Sequence, residues 1–199
     1  MARRRFLQTA AVLLAMLFAL GRLARAQETT LVLDPAKTTV SFSLEATLHT
    51  VHGTFRLKSG VIQFNPATGA ASGAVVVDAT SGETGNSRRD RNMHKDVLQS
   101  PRYPEITFTP TRVTGSFVAQ GESSVTVDGV LRLRGADHTV ALTFKVQTSD
   151  GELQATTQLT VPYVAWGLKN PSSFLLRVAE KVEVSIAAEG KLTSAAAQR

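Results

Sequence analysis

From Val40 onward, apolar and polar side chains alternate without a miss: Val40, Phe42, Leu44, Ala46 and Leu48 against Thr39, Ser41, Ser43, Glu45 and Thr47. A period of two places the five apolar side chains on one face of a strand and the polar set on the other. The same signature recurs at Phe55 and Leu57, at Ile62 and Phe64, at Val75, Val77 and Ala79, and at Ile106 and Phe108. It continues through Val125, Val127, Leu131 and Leu133, then Val140, Leu142, Phe144 and Val146, then Leu153, Ala155, Leu159 and Val161, and ends with Val182, Val184, Ile186 and Ala188. Turn signals separate these runs: Lys58-Ser59-Gly60, Asn65 to Gly69, Arg134 to Asp137 and Ser149-Asp150-Gly151. Connections this short favour antiparallel neighbours joined as hairpins. The chain is therefore all-β, a meander of about eight strands with one apolar face each. Such strands stack as a sandwich or close into a barrel, and periodicity alone does not choose between the two.

Thr80 to Pro104 breaks the alternation with TSGETGNSRRDRNMHKDVLQSPRYP. A helix is predicted there over about Asn86 to Leu98. Thr84 or Asn86 would cap its first turn, Met93, Val97 and Leu98 would give a partial apolar stripe, and Ser100-Pro101 would end it. A second break, Tyr163 to Arg177, holds the single Trp and reads as a long loop.

The first 26 residues read as an address. Arg3, Arg4 and Arg5 form a basic n-region, Phe6 to Leu20 an apolar h-region too short for the roughly 20 residues of a membrane span, and Ala24-Arg25-Ala26 a small-x-small cleavage site. Cleavage between Ala26 and Gln27 is expected, with a periplasmic or secreted mature protein. The Arg3-Arg4-Arg5-Phe6-Leu7 run also fits a twin-arginine pattern. Of 22 Lys+Arg, five lie in the leader, which has no acid, so the mature chain carries 17 basic against 16 acidic residues, a net of +1. Interleaved charge of that size lacks the basic face a nucleic-acid binder needs and predicts no strong attraction to anionic membrane surfaces. Cysteine is absent, so stability must come from a packed core, not from disulfides. Residues 27–193 suit one domain, with 194–199 as a frayed tail.

Thr84-Gly85-Asn86, Arg89-Asp90, Met93-His94, Val97-Leu98 and Tyr103-Pro104-Glu105-Ile106-Thr107-Phe108 together resemble the YceI family of exported, lipocalin-like proteins. Leu33-Asp34-Pro35, Val51-His52-Gly53-Thr54-Phe55, Val127-Asp128-Gly129-Val130-Leu131 and Val182-Glu183-Val184-Ser185-Ile186 extend the resemblance over nearly the whole mature chain. The resemblance implies an eight-stranded antiparallel barrel around an apolar tunnel holding a polyisoprenoid, a quinone-like lipid or a fatty amide. Two departures stand out. Asn92 occupies the position of the family's His after the Arg-Asp pair, with His94 displaced to follow it. Pro162 to Gly167 replaces an Arg-x-Asp-Phe-Gly pattern.

Inward candidates for a tunnel wall are Phe42, Leu44, Leu48, Phe55, Phe64, Phe108, Leu131, Phe144 and Ile186, with Trp166 as a cap or stacking surface. Without the resemblance the same residues read as plain core. Asn86, Arg89, Asp90 and His94 are candidates for a lid or headgroup clamp, since guanidinium grips phosphate. The same Asp90 with a neighbouring Arg equally suits fastening the insert across the barrel mouth. Asp90 and His94 stand four apart and would share a helix face, which also raises an isomerase or hydrolase as the alternative. No HExxH, GxSxG or Cys completes a catalytic or zinc set. The expectation is a non-enzymatic carrier or sequestering protein with no cofactor beyond a bound isoprenoid lipid or quinone, its partner a long-chain apolar molecule. A ligand-free structural or stress-response protein, and a homodimer, are left open.

Overall fold

The computed structural model describes residues 28–47, 49–174 and 176–194. The leader, the expected cleavage point at Ala26 and Gln27, and Leu48 lie outside them. Nine strands follow in order: β1 (Thr29–Leu33), β2 (Thr39–Glu45), β3 (Thr50–Phe64), β4 (Ala71–Glu83), β5 (Glu105–Ser116), β6 (Gly121–Leu133), β7 (Ala136–Ser149), β8 (Glu152–Val161) and β9 (Val182–Ser194). A short helix, α1 (Ser87–Asn92), follows β4. Ser194, the first residue of the expected tail, is paired with Thr29.

Every pairing is antiparallel. β2 to β9 neighbour one another in sequence order, and β2 meets β9 to close the ring. β1 adds no ninth position. It lies between Val61–Phe64 of β3 and Gly190–Ser194 of β9, while β2 lies between Thr50–Arg56 and Glu183–Ala187 of the same two strands. β1 and β2 are one stave of an eight-position barrel, interrupted at Asp34–Thr38. The interruption is bridged to β9: the Asp34 N–H donates to the Glu189 carbonyl at 2.8 Å, and Thr38 Oγ1 accepts from the Glu189 N–H at 3.2 Å. Closure gives each of these strands a neighbour on both sides, which is how a meander of one-sided strands avoids a sticky outer ladder.

Lys58-Ser59-Gly60 is not a turn, contrary to the sequence expectation. Thr50–Phe64 is one strand with a register irregularity between Leu57 and Ser59. A bulge inserts one residue and moves the inward phase from odd Leu57 to even Ile62, so its apolar pattern looks like two strands. β5 does the same between Pro110 and Arg112, placing a buried Pro where the ladder is already broken. Arg134-Gly135 and Asp150-Gly151 do turn the chain, with φ of 51° and 77°, and 51° and 78°. Positive φ at both central residues is the mirror-type turn that matches strand twist.

The connections sort onto two ends. Among the described residues, the upper end holds 46–47, 49, 84–104, 134–135, 162–174 and 176–181; the lower end holds 65–70, 117–120 and 150–151. The lower end is plugged by Phe64 and Phe117, edge to face at 5.2 Å, and by Thr148, which is 1% exposed and donates to the Val118 carbonyl at 2.8 Å. The interior between the ends is not packed solid. Among the described residues, the largest side chains sealed to below 2% are Thr148, Pro110 and Ser100. Inward Leu57, Leu142, Phe64 and Phe108 each keep 5–9% of their surface open. In a close-packed core such side chains would be enclosed; here that surface faces a void.

Candidate functional site

The void is a cavity of about 590 Å³ bounded by inward side chains of every strand, within the range of pockets that enclose a small ligand. Its lower part is walled by Leu31, Phe64, Phe117, Val146 and Leu153; its waist by Phe42, Phe108, Leu131, Phe144 and Ile186; its upper part by Leu44, Phe55, Leu133 and Val161. Room for the rings comes from inward glycines. A Cβ at Gly53 would collide with the Phe42 ring and the Glu83 carbonyl, and one at Gly129 would collide with Phe108. Phe42 and Phe55 then meet at 5.4 Å between centroids.

Met93, Val97 and Leu98 roof the cavity from the helical insert. The predicted helix over Asn86 to Leu98 is present in two forms. Asn86 supplies the cap, its Oδ1 accepting the N–H groups of Arg88 and Arg89 at 3.1 Å each. After α1, residues Met93–Val97 form a wider π turn in which the Leu98 N–H donates to the Met93 carbonyl at 2.9 Å.

Thr84 ties this roof to the end of β4. Its Oγ1 accepts from Arg89 Nε at 2.7 Å and its hydroxyl donates to the Asp90 carboxylate. Its N–H donates to Asp90 at 3.0 Å, and its carbonyl accepts from Arg89 Nη2 at 3.0 Å. His94 adds a second tie. Its Nε2 donates to the Gly82 carbonyl at 2.8 Å, since a carbonyl only accepts, which leaves Nδ1 to face the Ser100 hydroxyl at 2.9 Å. Of the four lid candidates, Asn86 and Arg89 line the cavity; Asp90 and His94 do not, and their hydrogen bonds go to the roof's anchorage. They form no shared face toward a substrate. Among the described residues, no cluster of three or more His, Asp or Glu side chains could hold a metal ion.

The third part of the upper end is the β8–β9 loop. Thr47 and Arg177 exchange hydrogen bonds at 2.9 and 3.0 Å, and Ala46 bridges Val178, so the loop is stitched to the β2–β3 hairpin. Buried Tyr163 donates its hydroxyl to the Ala179 carbonyl at 2.7 Å. Burial, helped by the Glu180 carboxylate, pushes its phenol up to about 12. Trp166 is not on the cavity wall, unlike the expectation. Its ring lies flat on His138, 3.9 Å between centroids and 6° from parallel, and packs half-buried against both apolar clusters. The remaining expected wall residues, Phe42, Leu44, Phe55, Phe64, Phe108, Leu131, Phe144 and Ile186, all line the cavity.

The polar lining is concentrated at the upper mouth: Thr84, Arg88, Asn92 and His49, beside the expected Asn86 and Arg89. The lining includes no carboxylate. Arg88 makes no side-chain hydrogen bond or ion pair to a described residue, whereas Arg89 is committed to Thr84. A polar residue inside a charged insert carries no periodic signal, so nothing in the sequence separated Arg88 from its neighbours.

The fold is shared by solved structures of low sequence identity. A protein described as BcnA from Burkholderia cenocepacia superposes with a TM-score of 0.64 at 19% identity, covering 79% of this chain and 98% of that one. A polyisoprenoid binding domain from Saccharophagus degradans gives 0.66 at 18% identity, covering 82% and 98%. A YCEI protein from Campylobacter jejuni gives 0.58 at 19%, covering 73% and 86%. No curated protein is similar enough to count as a match. The YceI-like domain matches residues 31–190, from the middle of β1 into β9. With that span and a closed eight-position barrel around an apolar cavity, the chain belongs to the YceI-like family.

Proposed function

We propose that this barrel holds one long-chain apolar lipid, a polyisoprenoid or an isoprenoid quinone, as a carrier or sequestering protein. The observation that carries the reading is the continuous apolar cavity of about 590 Å³, with its charged lining confined to one mouth. Each methylene moved from water to such a wall contributes about 0.8 kcal/mol, so affinity grows with chain length until the cavity is full. The polar end of the ligand sits at the mouth, where Arg88, Asn92 and His49 offer donors and no carboxylate repels an acceptor. The likeness to a polyisoprenoid binding domain supports the same ligand class.

Binding, and not catalysis, is the role this reading assigns. Asp90 and His94, the pair an isomerase or hydrolase would use, spend their hydrogen bonds on Thr84, Gly82 and Ser100. The leader belongs to the same proposal, as an export signal removed before Gln27; Edman sequencing of the protein recovered from its host tests it, with Gln27 first as the expected result. A displacement titration with a fluorescent long-chain probe tests the cavity. One site per chain, with affinity rising as the competing chain lengthens, is expected. Absence of any affinity for long-chain probes overturns the reading.

A further inference from the structure

A net charge of +1 on residues 27–199 hides a separation that only the fold reveals. Among the upper-end connections, the insert 84–104 has five basic and two acidic residues. The 134–135 turn has one basic residue, and the loop 162–181 has three basic and one acidic. That is nine against three, or +6, while the lower-end connections 65–70, 117–120 and 150–151 hold a single charged residue, Asp150. Arg132 with Asp137 and Lys58 with Glu105 cancel as ion pairs. Counting the strand-end carboxylates Glu45, Glu83 and Glu183 as well still leaves +3 at the upper end. Asp96, one of the three acids, is itself paired with Lys169 at 3.6 Å.

The same end carries Phe174, whose side chain is 98% exposed, the extreme among the described large apolar residues. It stands on the β8–β9 loop between Pro171 and Leu176, both of which line the cavity mouth. An aromatic ring held in water costs free energy that insertion among acyl chains recovers, and a surrounding cationic surface is drawn to anionic headgroups. Cationic charge, an exposed ring and the cavity opening coincide on one end of the barrel.

We propose that the upper end docks on an anionic lipid bilayer, with Phe174 inserted and the cavity mouth turned to the membrane, so that ligand passes between bilayer and barrel without crossing water. The docking face is a property of the surface and stands apart from what the cavity holds; its purpose rests on the lipid-holding reading.

The test is flotation of the mature protein with vesicles of neutral phosphatidylcholine, or of phosphatidylcholine with about 30 mol% phosphatidylglycerol. Binding to the anionic vesicles alone, lost near 0.5 M salt where the screening length falls to a few ångströms, is the expected result. Reversing three exposed charges that the cavity does not use, Arg91→Glu, Lys95→Glu and Lys181→Glu, weakens binding by at least about a hundredfold at about 1 kcal/mol per charge. Phe174→Ser weakens it about tenfold, and Lys37→Glu, in the β1–β2 break, leaves it unchanged. Circular dichroism verifies folding of each variant, and the wild-type salt and lipid series stands without them. No binding to anionic vesicles at low salt, equal binding to neutral ones, or binding indifferent to the triple reversal overturns the docking face. Failure of the probe titration alone overturns only the cavity reading.

Discussion

Ala155 and Ala188 are cross-strand partners on β8 and β9, and both face the cavity below its waist. Replacing one of them by Phe distinguishes a hollow barrel from a packed one. In a close-packed core, forcing in a ring costs about 1–3 kcal/mol through off-rotamer side chains and backbone shifts. In this cavity the ring enters space bounded by Leu153, Val146 and Ile186 and gains contacts, so Ala188→Phe is expected to leave unfolding free energy within about 1 kcal/mol of wild type. The ligand, in contrast, loses the room of roughly six chain carbons. At about 0.8 kcal/mol per methylene, that is on the order of 5 kcal/mol from the longest chain accommodated and little from a chain that ends above the block. Urea unfolding and probe displacement with a ladder of chain lengths read the two quantities separately. A loss of 1–3 kcal/mol with no change in chain-length preference would refute the reasoning, because it would show that the interior is already full.

Three further outcomes follow from the same geometry. Asp90→Ala removes the acceptor of the Thr84 N–H and hydroxyl, and a loss of about 1–3 kcal/mol with faster amide exchange confined to residues 84–98 is expected; unchanged exchange there would rule out the strap. The phenol of Tyr163 is raised from 10.0 to about 12, so the protonated form is favoured in the fold. Its contribution is whole below pH 10 and declines as pH rises toward 12, by on the order of 2 kcal/mol. Tyr163→Phe loses about 1 kcal/mol at neutral pH with the Ala179 hydrogen bond and flattens that alkaline decline; an unaltered alkaline profile would contradict the assignment. Gly53→Val drives a side chain into the Phe42 ring and the Glu83 carbonyl, and a drop of at least about 2 kcal/mol in chemical denaturation is expected, whereas a neutral result would mean the Phe42 wall yields freely.

Much of the barrel was legible because one-sided strands announce themselves every second residue. Phe42, Phe108, Phe144 and Ile186 were readable as inward for that reason, and Asn86 as a cap because its position precedes a helical run. Bulges defeat the same logic. At Leu57–Ser59 a phase reversal with Gly60 beside it is indistinguishable by pattern from a turn, and only the β1 and β4 partners of Val61–Phe64 show a continuous strand. β1 itself went unread, since Thr29–Leu33 is short and its meaning depends on sharing a stave with β2. Trp166 was assigned to the opening by its chemistry, but its stacking partner His138 lies 28 residues away on β7 and has no sequence signal. The cationic upper end was invisible for a simpler reason: summing charges along the chain erases where the fold puts them.

The central claim is that the barrel is hollow in order to be occupied, and native mass spectrometry of the protein purified without detergent from its own host tests it most directly. The account predicts a single adduct per chain that gentle organic extraction releases as a long-chain isoprenoid lipid. A bare chain mass, from protein that also takes up no long-chain lipid when it is supplied, would contradict it.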